Sequence, residues 1–214
     1  MRNTTAIDYS RHMFDLRLLG PERVHPISRR EFDRMVESGV FEEDQRIELL
    51  RGVLVELSPQ GVPHSHAIQE LNERLVLALV GRAKVRPQCP YAALDDSQPE
   101  PDLAVVPLQP KPAHPRRAHL LVEVADTSLR KDRGVKAGIY AENGAPEYWI
   151  VNVAEGVVEV LREPKDGAYT QEQRYGPGES IQLVAFPDVS LAVDDFLPPL
   201  GPSDSTSPAA PPAR

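Results

Sequence analysis

The sequence predicts an α/β domain, mixed in the α+β sense, with a central mixed β-sheet flanked by helices. Three observations carry this. Residues 120–124 and 148–151 are short apolar runs of the kind that form strands buried on both faces. Residues 128–143 between them suit a helix, with Val135, Ile139 and Tyr140 on one side, and such a crossover makes the two strands parallel with a right-handed connection. Residues 157–161, 168–175 and 189–193 then suit a closing antiparallel meander.

The remaining elements follow in order. Residues 1–27 lack periodicity and read as an N-terminal arm. Ser28 and Glu31 form a capping-box pattern and Gly39 stands where a helix would stop, so 28–38 is a short helix. Residues 46–57 read as two short strands about Arg51-Gly52, a tight-turn signal, and Ser58-Pro59-Gln60-Gly61 ends the pair. From 64 to 80, Ile68, Leu71, Leu75 and Leu79 recur at helical steps, and Gly81 ends that helix. Residues 85–93 and 103–106 are expected to be extended, and the four prolines of 107–118 make a stiff loop. Asn143-Gly144 stops the crossover helix. The last segment, 198–214, is Pro, Ser and Ala with almost no large apolar residue and is expected to be disordered. The domain is thus expected to run from 28 to 197.

Composition excludes several classes. With 41% apolar and 26% charged residues over 214 positions, the chain is ordinary globular protein rather than a wholly disordered one. No apolar run nears the roughly 20 residues that span a bilayer, so no membrane partner is expected. Cys89 is the only cysteine, which excludes an intrachain disulfide and a cysteine-rich metal cluster and makes a cytoplasmic setting the expectation. A net charge of −8 argues against coating nucleic acid through bulk positive charge, though not against a local basic patch.

Four residues stand out by position. Asp102 opens an apolar strand directly after Pro101, and Glu123 lies inside another, where a carboxylate is costly unless a positive group meets it. Glu48 interrupts Ile47-Glu48-Leu49-Leu50, and Lys136 falls near the middle of the crossover helix. Adjacent strands lie about 4.8 Å apart, so if those of 102 and 123 are neighbours their carboxylates can converge on one hard divalent cation. Magnesium takes one or two carboxylates with water and phosphate oxygens, and a nearby lysine would orient or deprotonate the attacking water or offset charge on phosphorus.

Pro101-Asp102, Glu123 and Lys136 in this order resemble the PD-(D/E)XK nuclease superfamily. More narrowly, Glu48-Leu-Leu-Arg-Gly52, Ser58-Pro59, His64, Pro101-Asp102-Leu-Ala-Val, Leu121-Val-Glu123-Val, Asp132-Arg-Gly-Val-Lys136 and Tyr140-Ala-Glu-Asn-Gly-Ala-Pro-Glu-Tyr-Trp-Ile-Val-Asn152 resemble the Uma-two family of restriction endonucleases. The resemblance runs from about 28 to 197. It implies a restriction-endonuclease-like core that uses Mg2+, with Mn2+ as substitute, to hydrolyse phosphodiesters in DNA. It implies Asp102, Glu123 and the Val124 carbonyl as metal ligands, Lys136 as the catalytic lysine and Glu48 as an additional acid. One departure stands: the strict motif has its lysine two residues after the acid, where this chain has Ala125, and Lys136 would be that lysine displaced to the helix.

Between Lys111 and Lys136 seven bases face three acids, a local balance of +4 that suits a phosphate backbone. Arg116, Arg117, Arg130, Lys131 and Arg133 are the candidate DNA contacts. An i, i+4 pair between Asp132 and Lys136 would account for both residues without a catalytic role. His64 opens the long helix, where it would cap it or touch the site, a structural role being the expectation; His66 is expected to face solvent, and Tyr140, Tyr148 and Trp149 to pack in the core. A homodimer would suit cutting of both strands. Two other readings compete: a nuclease fold kept as a nucleic-acid-binding or interaction module without the reaction, and a hydrolase of other phosphate esters.

Overall fold

The computed structural model describes residues 24–42, 44–109 and 112–197. Most of the expected N-terminal arm, the tail from 198 and Lys111 lie outside the described residues.

Helix α1 (Arg29–Glu37) starts on the capping box the sequence carries: the Ser28 N–H donates to Glu31 Oε2 at 2.9 Å and the Glu31 N–H to Ser28 Oγ at 3.3 Å. Strands β1 (Ile47–Leu50) and β2 (Val53–Glu56) pair antiparallel. Their two-residue turn has Arg51 at φ 52° and Gly52 at φ 76°, the left-handed pair that matches strand twist. A Cβ on Gly52 would collide with Pro26, so glycine is required there twice over. Helix α2 (Val62–Leu79) begins two residues earlier than the periodicity suggests, because Pro63 suits a first turn.

Strand β3 (Lys84–Pro87) is shorter than the extended run expected to 93. Pro87 has no N–H to continue the ladder, and Gln88 turns at φ 47°. With β4 (Leu103–Val106), β5 (Leu120–Ala125), β6 (Glu147–Asn152), β7 (Val157–Lys165) and β8 (Ala168–Tyr175) it forms a six-stranded sheet in the order β3-β4-β5-β6-β7-β8. Only β5 and β6 are parallel, as the crossover requires. A separate hairpin joins β9 (Ser180–Gln182) to β10 (Ser190–Ala192); β9 is too short to show a period in the sequence.

The crossover is not one regular helix. It runs as α3 (Leu129–Lys131), a π-helical turn (Asp132–Lys136) and α4 (Ala137–Asn143), closed by Gly144 at φ 80°. The wide turn shifts which residues face inward. Val135, expected on the buried side, is 45% exposed, whereas Asp132 and Lys136 are each 1% exposed.

Both faces of the sheet are covered. On one, Ile68, Leu71, Leu75 and Leu79 of α2 pack against Leu103, Val105, Val122 and Val124, each buried aliphatic side chain contributing about 1.5–3 kcal/mol. On the other, Ile139 and Tyr140 of α4 pack against Leu121, Ala125, Tyr148 and Ile150. Trp149 and Tyr148 are core residues, on opposite faces. Among the described residues no helix is long and apolar enough to cross a membrane.

Candidate active site

Side chains alternate between faces along a strand. Leu121 and Ala125 face the crossover, so Glu123 faces it too; Ala104 faces it, and Asp102 continues the same parity. The register Leu103↔Val122 and Ala104↔Leu121 sets Asp102 at the end of β4 beside Glu123 on β5. The Val124 N–H donates to Asp102 Oδ2 at 2.8 Å. His64, in the first turn of α2, places Nε2 3.3 Å from Asp102 Oδ1 without hydrogen-bonding geometry.

Ala125 lies on the crossover face two residues past Glu123. The lysine that a strict motif would place there comes instead from the helix above: Lys136 Nζ lies 2.9 Å from Glu123 Oε1 and 3.0 Å from Glu48 Oε2. The Tyr140 hydroxyl donates to the same Glu123 oxygen at 2.6 Å. Glu48, carried in by β1, is fully buried. It accepts from Lys131 Nζ at 2.9 Å on Oε1 and from the Glu100 N–H at 3.2 Å on Oε2.

These contacts sort the protonation behaviour. Burial pushes Glu123 well above the usual carboxylate range, and Asp132, Asp102 and Glu48 add to that push against Lys136. Glu48 is also buried, yet Lys136 and Lys131 together hold it below the ordinary value. Asp102 is likewise lowered, burial being outweighed by His64, the Val124 N–H and Lys136. Lys136 is raised although burial opposes it, because Glu123, Glu48 and Asp132 surround it.

The group opens onto a cavity of about 740 Å³ whose walls include His64, Asp102, Glu123, Lys131, Asp132 and Lys136. Of the five bases expected to meet DNA, Arg130 and Lys131 line this cavity. Lys131 is bound to Glu48, Arg133 is bound to Glu159 with Nε–Oε2 at 2.8 Å, and Arg116 pairs with Asp95 at 3.4 Å. Arg117 is exposed and away from the cavity walls. Asp132 does not make the i, i+4 pair with Lys136; its Oδ2 accepts from the Ser128 hydroxyl. Sequence reading missed the attachment of Tyr140 to Glu123 and of Lys131 to Glu48. A tyrosine four residues after an inward lysine was the available sign for Tyr140; for Lys131 there was none, because its partner is 83 positions away. Among the described residues no group of three or more His, Cys, Asp or Glu side chains is already gathered for a metal ion.

A mixed six-stranded sheet, with Asp102 at the start of one strand, Glu123 beside it within the next and a lysine on the crossover that covers them, defines a protein of the restriction-endonuclease-like nuclease fold. The crystal structure titled as that of "a putative nuclease belonging to DUF820" from Anabaena variabilis matches with a TM-score of 0.62 and 18% identity, over 80% of this chain and 97% of that one. At that identity the likeness concerns the fold. The family model Uma2, described as "Putative restriction endonuclease", matches residues 29–194, and the chain belongs to that family. No curated protein matches it.

Proposed function

We propose that this protein is a magnesium-dependent endonuclease that hydrolyses phosphodiester bonds in DNA. The reading rests on one observation above all: Asp102 and Glu123 meet on one face of the sheet with the Lys136 ammonium against Glu123. Membership of the family supports it.

The donor chemistry fits magnesium. Asp102, Glu123 and the Val124 carbonyl offer hard oxygen ligands, and six acids (Glu56, Glu100, Asp102, Glu123, Asp126, Asp132) outnumber four bases (Arg46, Arg130, Lys131, Lys136) on the cavity wall, an excess that draws in cations. When bound, the ion would polarise a phosphate oxygen and acidify a water. Lys136, on the cavity wall and held by Glu48 and Glu123, would offset charge developing on phosphorus. Glu48 fixes both lysines, and Tyr140 fixes Glu123. Arg130 on the cavity wall would meet the phosphate backbone.

Supercoiled plasmid incubated with magnesium tests this. Asp102→Ala and Glu123→Ala should abolish cleavage in folded protein, and wild-type rates in both variants would overturn the assignment. A crystal soaked in manganese should show one metal peak between the two acids. The engagement of Lys136 by two carboxylates favours a second reading, a binding module without the reaction. That module would bind DNA in a salt-sensitive way and cleave none at any magnesium concentration.

A further inference from the structure

Asp132 has one oxygen without a partner. The residue is 1% exposed, and its Oδ1 accepts no hydrogen bond, a state that is unfavourable unless something outside the chain relieves it. The side chain is nonetheless held firmly. Ser128 donates to Oδ2, and the Tyr148 hydroxyl donates to the Asp132 backbone carbonyl at 3.2 Å. The two nearby lysines are spent elsewhere, Lys131 on Glu48 and Lys136 on Glu48 and Glu123.

Its place in the backbone is equally specific. Asp132 opens the π-helical turn that Lys136 closes, and the Ala137 N–H bonds back to the Asp132 carbonyl across the widened turn. Such turns within helices are frequent at functional sites. Here the turn brings a carboxylate and an ammonium onto the same cavity wall without pairing them. An anchored, buried acceptor beside the lysine is placed to take a hydrogen bond from a small donor entering the cavity.

We propose that Asp132 is a catalytic residue that holds the attacking water through Oδ1; this rests on the nuclease reading. In the step it serves, the water oxygen bonds to phosphorus as the bond to the leaving ester oxygen breaks. The proton that the water loses is matched by one that the leaving oxygen gains, both exchanged with solvent. Asp132 orients the water's lone pair toward phosphorus, while Ser128 fixes Asp132.

The test is Asp132→Asn in the full chain. The amide keeps the acceptor for Ser128 but presents an NH2 group where Oδ1 stood, so the water is turned the wrong way. The maximal rate of plasmid cleavage should fall about 100-fold, with DNA affinity unchanged, and this loss of rate per folded molecule is the deciding readout because removing a charge that helps surround Lys136 also bears on the melting temperature. A purely structural Asp132 would give a lower melting temperature with an intact rate per folded molecule, and would overturn the proposal. A crystal structure of the wild type should show a water hydrogen-bonded to Oδ1, and a bare Oδ1 there overturns this inference alone. A wild type that cleaves no DNA overturns the nuclease reading, and the role in attack falls with it.

Discussion

The Lys136 ammonium lies 2.9 Å from Glu123 Oε1, although the two residues belong to different elements, and both are almost wholly buried. Neither charge is tolerable there alone. Burial favours the neutral carboxyl, and the same burial opposes the ammonium. The pair is completed by Glu48 from a hairpin outside the main sheet, so three separate elements converge on one amine.

Lys136→Met should therefore be severe. It leaves Glu48 and Glu123 facing each other without their shared cation, at a cost of about 3–5 kcal/mol. Urea unfolding at neutral pH measures it. A loss below about 1 kcal/mol would mean that the triad carries little of the fold.

The dependence on pH follows from Glu48. Its carboxyl is held below its ordinary value of 4.5, so its ionised form stabilises the folded state above that pH, and the contribution disappears as pH falls through the lowered value. The stability gap between wild type and Glu48→Gln should be full at pH 7 and shrink in acid. Denaturant curves across that range check it, and a gap that widens on acidification contradicts the sign.

Gly52→Ala should destabilise by about 1–3 kcal/mol, through strain at a positive φ and collision with Pro26. Because the turn it occupies joins the strands that carry Glu48, cleavage should fall along with the melting temperature. Gly39→Ala is the control: its φ is also positive, at 69°, but nothing lies within contact distance, so only the strain is felt.

The bases near the cavity should separate into two kinds. Arg133→Ala abandons the buried Glu159 and should lower stability by about 1–3 kcal/mol while leaving DNA affinity alone. Arg130→Ala should leave stability unchanged, weaken DNA binding and reduce its salt slope by about 1. Fluorescence anisotropy at several salt concentrations distinguishes them.

Much of the fold is legible in the chain. The capping box at Ser28, the Arg51-Gly52 turn, the α2 stripe and the apolar strands around a helical crossover are local signals with local causes, and the structure contains each of them. The site is legible in its components, since a carboxylate within an apolar run demands a partner wherever it occurs. Less legible are features set by longer-range competition. The break of the crossover helix into a π turn was hidden by an apolar Val135 that mimicked an inward position, and the early end of β3 depended on what Pro87 denied to the ladder.

What the amino-acid order alone determined is the family, the mixed sheet and the conspicuous acids and lysine. Their meeting was decided by tertiary structure: strand register put Asp102 beside Glu123, the crossover laid Lys136 against Glu123, and a separate hairpin brought Glu48 to the same amine. The physical reason is that sequence patterns record which side of an element is buried, whereas pairing charges across 13 to 88 positions depends on how whole elements pack, information that no local window contains.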